Sequence, residues 1–389
     1  MQFSLATRIN DLEASATEVI ENQVKLMRRK GVHDIVSLGV GEPCFETPAN
    51  IVKAAQLALQ SGKTKYQPTA GDFTLREEIC RKLKEKNGID VGVEDIMVTP
   101  GAKFAIFLTF QVLIEPGDRV IILCPAWGSH SAVAKMLGAE IVPICTSEAD
   151  GYQPDLNAVR EAMRLPVKCI VINSPCNPTG AVYDRDTLRA IVESARDRGA
   201  LVLSDEIYEA LVYEGEHFSP GAEYDNVITV NGFSKTYAMT GWRLGYVTAP
   251  REILKGMIKL SQHSVSCVTA FAQAGAIEAL RSPESQLAVN QMIEHYRRKR
   301  RLMIDLLERS GVFQCRPGQG TFYLFPSYSL ETKSLDLSQE LLEKVHVATV
   351  PGVGFGECGE YHLRLSYSTA DEDILEAFAR MEDYFKRYG

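Results

Sequence analysis

Several familiar chemistries are missing from this 389-residue chain. None of its nine cysteines forms a C-x-x-C, no spaced histidine pair suits a metal, and no G-x-S-x-G is present. Gly62-Lys63-Thr64 resembles the tail of a phosphate-binding loop, but Leu57 stands where the first glycine is required. GFGECG (354–359) matches G-x-G-x-x-G, yet a strand-like run, YHLRLSY, follows where that fingerprint needs a helix. These absences remove the metalloenzyme, nucleotide-hydrolase, dinucleotide-binding and α/β-hydrolase readings. No segment approaches 18 consecutive apolar residues, and MQFSLATRINDLEASAT has no apolar signal core. Basic charge is also short: 42 Lys and Arg face 50 Asp and Glu, a net charge of −8. That argues against bulk attraction to nucleic acid or to a membrane surface. The expectation is a cytoplasmic protein with reduced thiols, several of them small buried residues in apolar strands. One basic cluster, Tyr296 to Arg301, reads as the solvated face of an amphipathic helix.

The chain does contain an α/β pattern. Short apolar runs bounded by turn residues recur at 95–100, 119–125, 140–145, 168–175, 200–206, 226–234 and 243–250. Stretches of helical period lie between several of them, such as 155–165 and 184–198, the second followed by Gly199 as a C-cap. This alternation implies a mostly parallel sheet covered on both faces, with ligands gathering beyond the carboxyl ends of the strands. From about residue 285 the pattern changes to a long charged helix, strands near 321–326, 346–350 and 361–367, and a last helix from Glu372. That reads as a smaller α+β domain. The length and the 45% hydrophobic fraction allow two domains with ample core.

Five motifs lie where such a sheet would present them. The run VNGFSKTYAMTGWR (230–243) sets Lys235 among small and hydroxyl residues, eight positions before Arg243. A lysine that forms a Schiff base must be fixed and partly desolvated, and an arginine close by can clamp a phosphate. Alone, an ordinary surface lysine would be the better explanation of it. NSPCNPTG (173–180) fixes an irregular turn that points Asn177 into a cleft. SDEIY (204–208) offers Asp205 as partner for a pyridine nitrogen and Tyr208 for a phenolate oxygen, although an aspartate there is also a common helix N-cap. TPGAK (99–103) leads from a strand into a helix and makes an anion site of backbone N–H groups at Gly101, Ala102 and Lys103. Arg364 lies within an otherwise apolar strand, where it needs a carboxylate, whether a ligand's or one from the chain itself.

In order and spacing, GEPCFETP (41–48), KTKYQP (63–68), GAKFA (101–105), NSPCNPTG, SDEIYEALVYEGEHFSP (204–220), NGFSKTYAMTGWRLGY (231–246) and RLSYS (364–368) resemble the class I aminotransferases of pyridoxal-phosphate fold type I. The match is nearest to the bacterial I-gamma aspartate aminotransferases and covers essentially the whole chain. The resemblance implies an N-terminal arm with part of the small domain (1–45), a large domain with a mostly parallel seven-stranded sheet (46–285), and a small domain (286–389). It implies that Lys235 carries pyridoxal 5'-phosphate as a Schiff base and then moves protons. Asp205 pairs with the pyridinium, Tyr208 and Asn177 bond the ring hydroxyl, and Trp127 stacks on the ring. Gly101, Ala102, Lys103, Ser234 and Arg243 hold the phosphate, with Tyr66 arriving from a second subunit of a homodimer. Arg364, helped by Asn177, Trp127 and the backbone at Gly39, takes the substrate α-carboxylate. Ser15, Thr17 and Lys103 match the residues that bind a distal carboxylate, which favours aspartate or glutamate as amino donor to a 2-oxo acid. Cys44, Ala126, His130 and Thr321 depart from the family pattern and point instead toward an aromatic, prephenate-like or basic donor. Lone His130 is expected to be structural. Elimination, decarboxylation or oxidation on the same fold is the alternative reaction class.

Overall fold

The computed structural model describes residues 4–10, 12 and 14–388. Residues 1–3, 11 and 13 of the expected N-terminal arm lie outside the described residues. The seven apolar runs form one sheet: β1 (Ile96–Thr99), β2 (Arg119–Cys124), β3 (Glu140–Cys145), β4 (Cys169–Asn173), β5 (Leu201–Asp205), β6 (Val227–Gly232) and β7 (Gly245–Thr248). Their spatial order is β1-β7-β6-β5-β4-β2-β3, and only β7 runs against the others. Alternate residues of one strand enter different cores. Val120 and Ile122 of β2 pack with helices α2 (Ala102–Leu113) and α3 (Ser129–Met136), whereas Ile121 and Leu123 pack with α4 (Arg185–Asp197). With both faces buried, no polar alternation is possible, so these strands read as continuous apolar runs. The helix α4 shows the complementary pattern, with Leu188, Ile191, Val192 and Ala195 buried along one side. Each fully buried aliphatic side chain of this kind contributes roughly 1.5–3 kcal/mol.

A smaller α+β unit draws on both ends of the chain. Val36–Ser37 pairs in parallel with Val347–Ala348. Tyr323–Leu324, Leu363–Ser366 and Val350–Pro351 form an antiparallel sheet with the Leu363–Ser366 strand in the middle. Three helices flank these strands: α5 (Pro283–Ser310), α6 (Ser334–Val345) and α7 (Asp371–Tyr388). No described helix is long and apolar enough to cross a membrane.

Two expectations hold only in part here. The basic cluster on α5 is only partly a solvated face: Arg298 and Arg301 are exposed, but Lys299 and Arg300 are buried. Arg297 donates to the Tyr213 carbonyl at 3.0 Å, Arg300 to the Gly318 carbonyl at 3.0 Å and to Glu214 at 2.8 Å, and Lys299 to the Thr369 carbonyl. The cluster caps loop carbonyls that would otherwise be buried without donors. Nor are all thiols reduced. Cys145 at the end of β3 and Cys358 in the turn before the Arg364 strand form a disulfide, their Cα atoms 5.9 Å apart. Residues 213 apart in sequence give no warning of that approach.

Behind the β5 end lies a buried polar network. Glu206 accepts from Ser204 at 2.9 Å and Ser219 at 2.5 Å, and meets His217 Nε2 at 3.1 Å. Asn87 donates to Ser219 at 2.6 Å and to Glu209 at 2.7 Å, and Lys82 reaches both Glu209 and the Asn87 oxygen. Glu206, Glu209 and His217 are close enough to hold a metal ion, but the Lys82 ammonium already supplies the cation. Burial opposes charge on Lys82, yet Glu209 outweighs it and holds the ammonium above its ordinary range. The network locks the segment that begins with Asp205. Lys82→Met should leave Glu209 buried without its cation and lower the unfolding free energy by about 3–5 kcal/mol, measured by urea denaturation. A loss below about 1 kcal/mol, the scale of an exposed pair, would contradict that role.

Candidate active site

The carboxyl ends of β4, β5 and β6 lie side by side, with Asn173 in register with Asp205, and Asp205 with Val230. Asn173 Nδ2 donates to the Asp205 carbonyl at 3.0 Å, and its Oδ1 accepts the Asn177 N–H at 2.9 Å. One side chain thus ties the β4 turn to the end of β5. Beyond β6 the chain passes through Ser234 to Lys235, and beyond β2 it delivers Ala126 and Trp127. These ends open into a cavity of about 520 Å³ lined by Trp127, Asn177, Asp205, Tyr208, Ser234, Lys235, Arg243 and Arg364, among others.

Lys235 lies on the cavity wall with its Nζ donating to the Gly41 carbonyl at 2.5 Å. Among the described residues no carboxylate pairs with it. Burial, with Arg364 nearby, pulls the amine from its ordinary 10.5 down to about 8. Such an amine is about one-tenth unprotonated at pH 7, far more than an ordinary lysine, which suits a nucleophile or proton carrier.

Asp205 is buried, and its Oδ2 lies 3.1 Å from His130 Nε2. His130 is fully enclosed, edge-on to Trp127 at 5.3 Å between centroids. A buried, hydrogen-bonded histidine is in keeping with the structural role expected; what the sequence did not give is its partner, the carboxylate at the cavity floor. The helical position of His130 on α3, far from Asp205 in sequence, left no local signal of this contact. Tyr208 is buried, and its hydroxyl lies 3.0 Å from that of Tyr323. Burial, reinforced by Tyr323, pushes the Tyr208 phenol well above its usual range, so it stays a hydrogen-bond donor.

An anion site stands beside Lys235. Gly101 is the N-cap of α2 at φ +85°, and a Cβ there would meet the Arg243 guanidinium at 2.6 Å. A Cβ on Gly245 would strike the Ala102 nitrogen at 2.4 Å, so this corner closes only with glycine in both places. Arg243 donates to the Thr240 carbonyl at 2.9 Å and forms no ion pair with a described carboxylate. Free helix N–H groups, a helix dipole and an unpaired guanidinium converge there.

Arg364 is the most isolated charge of the site. It is 1% exposed, donates to Asn177 Oδ1 at 3.1 Å and the Gly39 carbonyl at 2.8 Å, and stacks over the Tyr323 ring at 4.3 Å. Its Nε has no partner, and no described carboxylate pairs with it. The alternative of an internal acid partner is therefore not realised among the described residues.

At the outer end of the cavity stand Ser15, Thr17 and Lys103, all three expected there. Lys103 Nζ lies over the Trp127 ring at 5.0 Å and 3.6 Å from Glu18. Glu18, Glu21 and Glu42 also face the cavity and escaped the sequence reading, because which face a short N-terminal helix presents is set by tertiary docking. The departures behave differently. Cys44, Ala126, His130 and Thr321 are not among the lining residues; Ala126 and Thr321 are buried, with the Ala126 N–H bonded to the Phe355 carbonyl at 2.9 Å. Tyr66 is 89% exposed and stands apart from this chain's own cluster.

The sequence matches the family model for aminotransferase class I and II over residues 33–381. It is 41% identical to the aspartate/prephenate aminotransferase of Thermus thermophilus, over 97% of this chain and 98% of that one. Similarity to the aspartate aminotransferase of Pyrococcus horikoshii is also 41%, over 91% and 92% of the two chains. Among solved structures, the Thermus thermophilus aspartate aminotransferase with maleate superposes with a TM-score of 0.94 at 39% identity, covering 98% of this chain and 100% of that one. An aromatic aminotransferase from Pyrococcus horikoshii superposes at 0.87 and 36% identity, covering 95% and 99%. The chain belongs to the class I and II aminotransferases, pyridoxal-phosphate-dependent enzymes of fold type I.

Proposed function

We propose that this chain transfers an amino group from aspartate or glutamate to a 2-oxo acid, in two half-reactions at the cavity around Lys235. The observation that carries the reading is the pairing of a buried guanidinium with no described carboxylate partner, Arg364, with a buried amine of depressed basicity, Lys235. An α-amino acid brings a carboxylate for the first and an acidic Cα–H for the second. The relatives' names support the dicarboxylic donor, as do Ser15, Thr17 and Lys103 at the outer end.

The residues present fit pyridoxal phosphate. Lys235 would hold it covalently, Gly101, Ala102, Lys103, Ser234 and Arg243 would meet its phosphate, and Trp127 would cover its ring. When bound, its pyridine ring accepts the electron pair left as Cα loses a proton. The protein supplies everything else. The Asp205 carboxylate, oriented by His130, favours positive charge on the ring nitrogen. Tyr208, kept protonated, donates to the ring hydroxyl together with Asn177. Arg364 orients the substrate through its α-carboxylate, and Lys235 takes and returns the proton. Tyr66, exposed as are Leu57 and Leu59, suits a homodimer in which each subunit completes its partner's phosphate site.

Three outcomes follow. In the cofactor-free chain, acylation of Lys235 by a small amine reagent, mapped by peptide mass, should reach half its plateau rate near pH 8. Exposed lysines should lag until about pH 10.4; equal profiles would contradict the depressed amine. Aspartate without any oxo acid should convert the absorbance of the lysine-bound cofactor to that of the amine form. Release of ammonia, CO2 or peroxide without that conversion would refute transamination, as would retained turnover in Lys235→Ala. Arg364→Leu should lower kcat/KM for aspartate by about 100-fold or more, equivalent to at least 2.7 kcal/mol; an unchanged value would remove the carboxylate role.

A further inference from the structure

The outer end of the cavity holds more negative charge than an acidic substrate wants to meet. Glu18, Glu21 and Glu42 all line the cavity, and only Glu18 comes within ion-pair distance of a lining cation, the Lys103 ammonium. Glu18 and Glu21 are three residues apart on α1 (Ala16–Arg29 of the N-terminal segment), so they share one helix face. Glu18, in the first turn, is favoured there by the helix dipole. That explanation does not extend to Glu21, a turn further on. Glu42 accepts a hydrogen bond from Thr240 at 2.8 Å, and Glu18 lies 3.6 Å from Lys103. Glu21 has no ion pair or side-chain hydrogen bond with any described residue.

Assigning partners on the transamination reading leaves a surplus. Arg364 takes the α-carboxylate, Arg243 the phosphate and Asp205 the pyridinium. Lys103 then has two claimants, Glu18 and the distal carboxylate of an acidic substrate. With Lys103 held by Glu18 and the nearby Lys235 committed to the cofactor, Glu21 remains as an unpaired acid facing the same space. A site that works in two half-reactions must admit two different side chains in succession. A bare Lys103 would leave an uncompensated ammonium in the cavity whenever a substrate without a distal acid enters.

We infer that Glu18 is a stand-in carboxylate for Lys103, and that Glu18 and Glu21 together select a second substrate whose side chain ends in a cation. That substrate is a basic amino acid or the 2-oxo acid derived from it. Aspartate displaces Glu18 from Lys103; a basic side chain leaves the Glu18–Lys103 pair intact and faces Glu21. The inference rests on the transamination reading of this same cavity and adds its second substrate class.

The test is the half-reaction of the holoenzyme, followed by absorbance, with aspartate, lysine, ornithine and the uncharged isostere norleucine. The wild type should react with lysine or ornithine at a kcat/KM at least tenfold above norleucine. Glu18→Gln and Glu21→Gln should each reduce that advantage about threefold, the scale of a solvent-screened pair, and the double variant should abolish it. Glu18→Gln should also tighten binding of the unreactive dicarboxylate maleate about threefold in calorimetry, because Lys103 is released. Far-ultraviolet circular dichroism and thermal melting establish that the variants are folded. Glu21→Lys is a second variant at the same half-buried, cavity-lining position and should invert the preference. An equal response to lysine and norleucine in the wild type, or an advantage that survives in the double variant, would overturn the inference while conversion by aspartate left transamination standing. Failure of every amino acid to convert the cofactor band would overturn both.

Discussion

Arg364 keeps a full positive charge at 1% exposure, with an amide oxygen and a backbone carbonyl as its hydrogen-bond acceptors and a tyrosine ring beneath it. Removing a charge from water without a counter-charge costs several kcal/mol, and the fold retains that cost. The guanidinium sits in the middle strand of the small sheet, between Leu363 and Leu365, so apolar packing on both sides fixes where it points. Asn177 and Gly39 hold it from two other parts of the chain. What the site lacks is a carboxylate, and a carboxylate is what every α-amino acid brings. The same positive charge helps to lower the Lys235 amine, so the groups proposed to bind the substrate and to carry its proton are electrostatically coupled.

The sheet supplies the second half of the design. Parallel strands place Asn173, Asp205 and the Ser234–Lys235 turn at one edge because their registers align there. Each polar side chain at that edge is held by another: Asn173 by the β5 carbonyl, Asp205 by His130, Tyr208 by Tyr323. Behind them the Lys82–Glu209–Asn87–Ser219–Glu206 network is saturated with partners. The result is a rigid floor beneath an opening whose outer lining, on α1 and around Lys103, is held by exposed and screened contacts. Chemistry is built on the rigid part. On the proposed reading, substrate choice is left to the outer part, in keeping with the near-identical folds of relatives named for aspartate and for aromatic substrates.

Much of this was legible in the residues. The seven strands were visible because burial on both faces makes them continuous apolar runs, and Lys235, Asp205, Asn177 and Arg243 stood in local motifs that the structure gathers around one cavity. What stayed hidden depends on contacts between distant segments. His130 gave no sign of its partner because Asp205 is far from it in sequence. The Tyr296–Arg301 cluster looked wholly solvated because the carbonyls it caps come from loops around 213, 318 and 369. The Cys145–Cys358 link and the cavity-facing glutamates of α1 are likewise products of docking rather than of pattern. Departures from the family at Ala126 and Thr321 drew attention to pocket shape, yet both residues lie behind the lining rather than on it.

The central claim is that the unpaired Arg364 and the softened Lys235 amine form one binding site for an amino acid on pyridoxal phosphate. A crystal structure of the holoenzyme with a bound dicarboxylate such as maleate tests it most directly. The expected result is electron density continuous from Lys235 Nζ to the cofactor, with one carboxylate within about 3 Å of the Arg364 guanidinium nitrogens. A free Lys235 amine, or a carboxylate bound elsewhere while Arg364 keeps only Asn177 and Gly39, would contradict the account.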